Sequence, residues 1–238
     1  MTAAQPPVVV LAALREEVES LALGLRLSSR RSPRLSIWAG ELEGTNVIVV
    51  LSGVGKVAAA MAAQFACDEL RPRRLLTIGL AGGITSEKAP GQVIVATGAI
   101  EHDVDARPLT VARGVLPGFD TALMRADPRI AGGLLQAASR VAGNPRSVRS
   151  GVVLTGDQIV TSRAVRDRVL ADFPDGACFD METAAVAHVA RQNDVPWGGV
   201  RITSDTADES FDLEEVLCFG ASTAAGLFDR IVRAFLVA

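Results

Sequence analysis

Residues 8–25 read VVVLAALREEVESLALGL, and this stretch decides the predicted fold class. It begins with the continuous apolar run Val8–Leu14 and continues into the helix-like segment Glu16–Leu25. An apolar run without alternation is typical of a strand that is buried on both faces. A buried strand followed by a helix therefore predicts a sheet that helices cover on both sides.

The same pattern of strand and helix recurs along the chain. Further strand-length apolar runs are Val47–Leu51, Leu75–Leu80, Val93–Ile100, Val148–Leu154 and Val200–Ile202, with a weaker run at Ala177–Phe179. Helix-like segments between and after them are Val57–Leu70, Pro128–Val141, Arg163–Asp172, Glu182–Gln192 and Phe211–Leu236. Residues Leu35–Leu42 and Val47–Leu51 predict a hairpin. Because no linker or repeat divides the chain, we expect residues 1–238 to form one α/β domain with a mostly parallel sheet.

The composition excludes several classes of protein. Of the 238 residues, 49% are apolar, which supplies a substantial core and excludes a disordered chain. The net charge of −3 provides no electrostatic footprint for nucleic acid or for an anionic membrane. Cys67, Cys178 and Cys218 lack CxxC spacing, so we expect reduced core thiols in a cytoplasmic protein. No signal peptide or membrane span is predicted, because Val8–Leu14 follows no basic segment and no apolar run reaches about 18 residues.

Polar residues follow the predicted strands at their carboxyl ends, where open α/β sheets bind ligands. These places are Glu16-Glu17, Gly79–Gly83, Gly156-Asp157, Asp180–Glu182, and Ser204-Asp205 with Asp208. Carboxyl groups thus collect at one edge of the sheet, as acid and base catalysis and the binding of sugar hydroxyls require. The irregular segment Arg107–Pro117 is a further candidate for a functional loop.

Each of these places also has an interpretation without function. Glu16 and Glu17 favour the dipole of the helix that they begin, and Glu182 also opens a helix. Ser204, Asp205 and Asp208 can cap the last helix. The glycines of Gly79–Gly83 can serve tight packing of strand and helix, or they can let a ligand approach the backbone.

The remaining motifs argue mostly against other kinds of site. His102, Asp103 and Asp105 offer metal ligands, but a solvated loop is the favoured interpretation because the chain has two histidines and no second cluster. His188 is expected to be a core histidine. Residues 52–56, SGVGK, lack the glycine spacing and the following Ser or Thr of a P-loop. The chain contains neither a dinucleotide-binding GxGxxG after a strand nor a GxSxG nucleophile elbow.

Six segments in order resemble the nucleoside phosphorylase and nucleosidase superfamily, most closely the 5′-methylthioadenosine/S-adenosylhomocysteine nucleosidases. They are Leu14–Val18 (LREEV), Ser52–Ala60 (SGVGKVAAA), Gly79–Gly83 (GLAGG), His102–Asp105 (HDVD), Met181–His188 (METAAVAH) and Arg201–Asp208 (RITSDTAD). The resemblance covers nearly the whole chain. It implies a three-layer αβα sandwich with a mixed, mostly parallel central sheet.

The resemblance also implies hydrolysis of the N-glycosidic bond of a 5′-modified adenosine, with release of adenine. Asp205 corresponds to the acid that protonates the purine and Glu17 to the partner of the attacking water. Glu182 corresponds to the acceptor of ribose hydroxyls, and Arg201 lies near the water. The other substrate-binding positions are Leu80, Ala81, Gly82, Ile159, Val160, Asp180, Met181, Ser204 and Phe211. No metal or cofactor is implied.

The resemblance implies a homodimer in which Leu109, Val111 and Pro117 complete the pocket of the neighbouring subunit. Ile159, Leu109 and Val111 stand where the nucleosidases carry aromatic residues, which leaves the 5′ substituent open. Alternatives are a purine nucleoside phosphorylase, a nucleosidase acting on another nucleoside such as a futalosine-like one, and a catalytically silent binding relative.

Overall fold

The structure is a computed structural model, and it describes residues 5–27, 35–84, 90–144 and 147–238. The strands are β1 (Val8–Ala12), β2 (Arg26–Leu27), β3 (Ser36–Leu42), β4 (Thr45–Leu51), β5 (Arg74–Gly83), β6 (Val93–Glu101), β7 (Met124–Arg125), β8 (Val148–Thr155), β9 (Gly176–Asp180) and β10 (Trp197–Asp205). The α-helices are α1 (Arg15–Ala22), α2 (Lys56–Phe65), α3 (Pro128–Val141), α4 (Arg163–Asp172), α5 (Thr183–Gln192), α6 (Leu213–Phe219) and α7 (Ala225–Leu236). Short π-helical segments extend α2 over Ala66–Leu70 and join α6 to α7 over Gly220–Ala224.

All the described strands belong to one mixed sheet. Its order is β10-β6-β8-β9-β5-β1-β4-β3-β2, and β7 pairs with β6. The pairings of β1 with β4 and β5, of β5 with β10, and of β8 with β6 and β9 are parallel. The long pairings are therefore mostly parallel, and the predicted fold class is confirmed.

Strand β5 closes part of this sheet into a ring. It pairs in parallel with β10 and in antiparallel with β9, where Gly82 lies opposite Phe179 and Gly83 opposite Cys178. The strands β5, β10, β6, β8 and β9 thus form a closed circuit. Because β5 and β9 cross near their carboxyl ends, the residues that follow both strands are brought to one place.

Helices cover both faces of the sheet. Val9 and Leu11 of β1 pack with buried alanines of α2 and α5, whereas Val8 and Val10 pack with α1, α3 and α7. Neighbouring residues of a strand face opposite sides, so every residue of β1 is buried. Each fully buried aliphatic side chain contributes about 1.5 to 3 kcal/mol, which explains the unbroken apolar run.

The structure differs from the sequence-based expectation in several elements. Residues Glu43 and Gly44, both with positive φ, form the hairpin turn, so β4 begins inside the predicted four-residue turn. The predicted last helix, Phe211–Leu236, is divided into α6, a π-helical segment and α7. Cys178 is buried, Cys67 is half-buried and Cys218 is exposed, so the expectation of a core thiol is wrong for Cys218.

Within the described ranges, no helix is both long enough and apolar enough to cross a membrane.

Candidate active site

A cavity of about 340 Å³ lies at the carboxyl ends of β1, β5, β9 and β10. Its described lining consists of Ala13, Leu14, Glu17, Val54, Leu80, Ala81, Gly82, Gln158, Ile159, Val160, Phe179, Asp180, Met181, Glu182, Ser204, Asp205, Phe211, Leu213, Val216 and Leu217. Every residue predicted for catalysis or substrate binding is in this set except Arg201. The structure therefore brings together residues as far apart in the sequence as Ala13 and Leu217.

Glu17 lies at the start of α1 with its carboxyl group buried in the cavity wall. Its Oε2 accepts hydrogen bonds from the amides of Ala13 and Leu14, at 3.0 and 2.9 Å. Its Oε1 accepts from the amide of Leu80 at 2.8 Å. Burial raises the pKa of Glu17, although these amides and the charge of Arg201 oppose the rise. The helix-start interpretation is thus only part of its role, because Oε1 also reaches across to β5.

The glycines at the end of β5 make room for this protein's own charged side chains. A methyl group on Gly79 would lie 2.8 Å from Nη1 of Arg201 and 2.9 Å from Oε1 of Glu17. A methyl group on Gly82 would lie 3.3 Å from Oδ1 of Asp205. Glu17 and Asp205 therefore flank the same strand end, and larger residues there would displace them.

Arg201 lies behind the cavity rather than on its surface. Its side chain is 2% exposed, and its Nε donates to Oδ2 of Asp180 at 2.7 Å. Its Nη2 donates to Oγ1 of Thr77 at 2.9 Å. Burial alone would lower the pKa of Arg201, but the neighbouring carboxylates, Asp180 foremost, raise it. Arg201 is therefore fixed as a buried cation beneath the acidic groups.

Asp180 is the partner that holds this cation. Its Oδ1 accepts from Oγ1 of Thr155, and its Oδ2 accepts from the amide and the hydroxyl of Thr183 as well as from Arg201. A buried carboxylate needs such a complete set of donors. With both oxygens occupied, Asp180 is suited to orienting Arg201.

Glu182 precedes α5 but does not cap it with its side chain. Its Oε1 accepts instead from the amide of Gly55, which precedes α2, at 2.8 Å. Burial, with the charge of Asp180, raises the pKa of Glu182 to about 8, while Arg201 and the Gly55 amide oppose the rise. The helix-opening interpretation therefore does not explain the direction of this carboxyl group.

Asp205 ends β10, and its carboxyl group is held by two local donors. Its Oδ1 accepts from the amide of Ala207 at 2.8 Å, and its Oδ2 accepts from the hydroxyl of Ser204 at 2.8 Å. Burial raises the pKa of Asp205, and the charge of Asp208 adds to the rise. Arg201 is not among the groups that shift this pKa, and its Nε binds Asp180.

The segment 204–208 does not cap the last helix, so this interpretation is wrong. Asp212 caps α6, because its side chain accepts from the amide of Glu215. Asp208 lies outside the cavity lining and accepts from the amide and hydroxyl of Ser210. These hydrogen bonds lower the pKa of Asp208 to about 2, the opposite direction to Asp205.

The sequence did not point to several parts of the cavity wall. Helix α6 contributes Leu213, Val216 and Leu217, and Val54 and Gln158 complete the wall. For α6, the helical spacing of its apolar residues Leu213, Val216 and Leu217 is the sequence pattern that could have indicated a buried face. Leu109, Val111 and Pro117 do not line the cavity of their own chain and are exposed.

The segment His102–Asp105 does not form a metal site in the described structure. No group of three or more His, Cys, Asp or Glu side chains suited to a metal occurs in the described part of the chain. His102 is buried and packs edge-on against Phe179, and burial lowers its pKa. His188 was expected in the core, but its side chain is 33% exposed and packs against Phe119, so that expectation is wrong.

Comparison with known proteins defines the family. A model of the phosphorylase superfamily matches residues 7–236. A 5′-methylthioadenosine/S-adenosylhomocysteine nucleosidase from Anoxybacillus flavithermus is 33% identical over 233 residues, which is 95% of this chain and 97% of that protein. The chain therefore belongs to the phosphorylase superfamily, and the predicted resemblance is confirmed.

Solved structures agree with this assignment. The 5′-methylthioadenosine/S-adenosylhomocysteine nucleosidase of Neisseria meningitidis, in complex with methylthio-immucillin-A, is similar with a TM-score of 0.89 at 28% identity, over 97% of this chain and 98% of that one. The futalosine hydrolase of Helicobacter pylori has a TM-score of 0.86 at 22% identity, over 97% of both chains. The latter likeness shows the fold alone.

Proposed function

We propose that this protein hydrolyses the N-glycosidic bond of a 5′-modified adenosine and releases adenine. The observation that carries this proposal is the pair of Glu17 and Asp205, whose carboxyl groups flank the end of β5 in one cavity and whose pKa values burial raises. Hydrolysis of a glycosidic bond needs one carboxyl group to donate a proton and another to accept one. A raised pKa suits both tasks near neutral pH.

The reaction assigns a task to each carboxyl group. Asp205 donates its proton to N7 of the purine, which turns adenine into a neutral leaving group as the bond from C1′ to N9 breaks. Glu17 binds the attacking water and accepts its proton as the oxygen adds to C1′. Glu182 accepts hydrogen bonds from the ribose hydroxyls. Arg201, held by Asp180, stabilises the negative charge of Glu17 and Glu182 from behind the cavity.

Water, rather than phosphate, is the nucleophile in this proposal. The ionisable side chains that line the described cavity are the carboxyl groups of Glu17, Asp180, Glu182 and Asp205, with no Lys, Arg or His among them. A phosphate would find no cation in this lining, and the carboxylate of Glu17 that the proposed mechanism needs would repel it. The apolar wall formed by α6 and Ile159 suits an uncharged 5′ group.

The test is product analysis with and without inorganic phosphate, using a panel of 5′-substituted adenosines and futalosine-like nucleosides. We expect base release from 5′-alkylthioadenosines at a rate that phosphate leaves unchanged, with free sugar as the second product. Formation of the correspondingly 5-substituted ribose 1-phosphate would identify a phosphorylase instead. Activity confined to the futalosine-like nucleosides would identify the other nucleosidase, and tight binding without base release would identify a silent relative.

We further propose a cytoplasmic homodimer that does not bind nucleic acid. Leu109 and Val111 are 83% and 90% exposed, and at the cavity rim Val54 and Ile159 are each 51% exposed. Apolar side chains exposed to this extent favour burial against a second copy of the chain. Sedimentation equilibrium of Leu109→Asp/Val111→Asp beside the unchanged protein tests this. We expect monomers with a raised KM, and an unchanged mass with an unchanged KM would refute the shared pocket.

A further inference from the structure

Two motifs that the proposed reaction does not use meet beside the cavity. Lys56 belongs to the segment 52–56, and Asp103 belongs to the histidine-containing segment 102–105. Nζ of Lys56 donates to Oδ1 of Asp103 at 2.7 Å and to Oε2 of Glu101 at 2.9 Å. The Lys56 side chain is 17% exposed and that of Glu101 is 10% exposed. This ion pair is therefore shielded from water far more than an ordinary surface pair.

Asp157 joins the two motifs into a closed ring of hydrogen bonds. The amide of Lys56 donates to Oδ1 of Asp157 at 2.8 Å, and the amide of Asp157 donates to Oδ2 of Asp103 at 2.9 Å. Lys56 thus holds Asp103 with its ammonium group and Asp157 with its backbone. Burial lowers the pKa of Lys56, but Asp103 and Glu101 outweigh this effect and raise it, so the ammonium stays charged.

The ring touches the cavity at two points. The residue before Lys56 is Gly55, whose amide donates to Glu182, and the residues after Asp157 are Gln158 to Val160 of the cavity wall. Gly55 has a φ of 97°, and a methyl group there would lie 3.1 Å from Oδ1 of Asp157. Neighbouring amides at the start of α2 therefore hold the carboxyl group of Glu182 and that of Asp157 side by side.

We propose that Lys56 is a positioning residue, which fixes the Gly55 amide through the Lys56, Asp103 and Asp157 ring and so aims Glu182 at the ribose hydroxyls. The inference rests on the proposed function, since it assigns the hydroxyl contact to Glu182. Lys56 itself does not touch the substrate. Loss of its ammonium group removes the link between the start of α2 and the carboxyl groups of Glu101 and Asp103, so that the backbone amide of residue 56 alone still holds Asp157 and the Gly55 amide is less firmly fixed.

The experiment compares Lys56→Met, Lys56→Arg and the control Arg233→Met on 5′-methylthioadenosine and its 3′-deoxy analogue. Arg233 also forms ion pairs, with Asp229 and Glu43, but it lies outside the cavity lining. We expect Lys56→Met to reduce the preference in kcat/KM for the hydroxylated substrate about tenfold, the lower range for a hydrogen bond to a charged group. Lys56→Arg keeps the charge and should restore most of the preference, and Arg233→Met should leave it unchanged.

A double-mutant cycle with Glu182→Gln separates positioning from general damage. If Lys56 acts through Glu182, Lys56→Met has little further effect on the hydroxyl preference once Glu182 is replaced. Additive effects in an active enzyme would overturn the positioning role and leave the proposed function intact.

Hydrogen exchange supplies a readout that does not depend on activity. The Gly55 amide and residues 157–160 should exchange about tenfold faster in Lys56→Met than in the unchanged protein, since exchange reports local opening. An inactive unchanged protein would refute the proposed function, while exchange would still decide whether Lys56 fixes the Gly55 amide. Unchanged exchange in Lys56→Met would refute the inference.

Discussion

Asp205→Asn should remove a catalytic proton while leaving the local structure in place. An Asn side chain can keep both hydrogen bonds of Asp205, because its oxygen accepts from the Ala207 amide and its amide donates to the Ser204 hydroxyl. It cannot release a proton to the purine. Asp208→Asn is the matched control, since that carboxyl group lies three residues away, outside the cavity, and is bonded to Ser210.

The size of the effect follows from the position of each group. Losing a general acid costs about 10²- to 10⁴-fold in kcat, or about 3 to 5 kcal/mol of transition-state stabilisation. The groups that shift the pKa of Asp205 include no cation, so its carboxyl group can keep the proton that the purine needs, and we expect its Asn variant to show this loss in kcat with little change in KM. Asp208→Asn removes a charge with a pKa of about 2 outside the cavity, so kcat should stay within about threefold of the unchanged enzyme.

The assay is initial-rate adenine release from one 5′-alkylthioadenosine across a pH range. In the unchanged enzyme the rate should fall as pH rises through the raised pKa of Asp205, because the protonated acid is lost. That limb should disappear in Asp205→Asn. If Asp208→Asn is the inactive variant and Asp205→Asn retains its rate, the acid has been assigned to the wrong residue.

Three further predictions test the same site. Glu17→Gln should lower the rate of adenine release about 10²- to 10⁴-fold. Glu16→Gln is the control, because Glu16 is next in sequence but outside the cavity, and it should leave the rate unchanged. If both variants released adenine at the same rate, Glu17 would be only a helix-start residue. Gly79→Ala should destabilise the fold by about 1 to 3 kcal/mol in urea unfolding, because its methyl group meets two buried charged side chains. Gly132→Ala is the control, because its methyl group has nothing within 4 Å, and it should stabilise α3 by about 0.5 to 1 kcal/mol. If Gly132→Ala were the less stable of the two variants, the close approach at β5 would be contradicted. The pKa of Glu182 is raised from 4.5 to about 8, so its contribution to the free energy of unfolding should be present below pH 4.5 and lost as pH rises through 8, a dependence that urea titrations of Glu182→Gln should lack.

Strands were predictable from the sequence where burial on both faces of the sheet requires a continuous apolar run. The apolar run of β1 is unbroken because Val9 and Val10 lie in cores on opposite faces. Helix α3 has its predicted bounds because Asp127 caps it and Pro128 occupies the first turn. Strand β10 was predicted as Val200–Ile202 but spans Trp197–Asp205, since the polar residues at its end are buried toward the site and interrupt the apolar run.

The closed ring of strands was beyond the reach of local patterns. The antiparallel contact of β5 with β9 involves Gly82 and Gly83, which carry no side-chain pattern to predict a register. The same holds for the donor of Glu182, because Gly55 is 127 residues away and contributes only its amide. The candidate acidic residues were predictable from their places after strands, whereas the contacts that orient them depend on tertiary pairing.

The arrangement of charge explains how neighbouring carboxyl groups can take different tasks. The charge of Arg201 opposes the rise in pKa that burial causes at Glu17 and Glu182, although the pKa of both groups stays raised. The groups that act on Asp205 are instead the Ala207 amide, the Ser204 hydroxyl and the like charge of Asp208, so no buried cation offsets its burial. The guanidinium of Arg201 therefore opposes the effect of burial at Glu17 and Glu182 but not at Asp205, which agrees with the proposed role of Asp205 as the proton donor. The substitution Ser204→Lys brings a cation next to Asp205 and should therefore ionise it. Adenine release should then fall about as far as in Asp205→Asn, by about 10²- to 10⁴-fold. A Ser204→Lys variant with an unchanged rate and pH profile would refute this division.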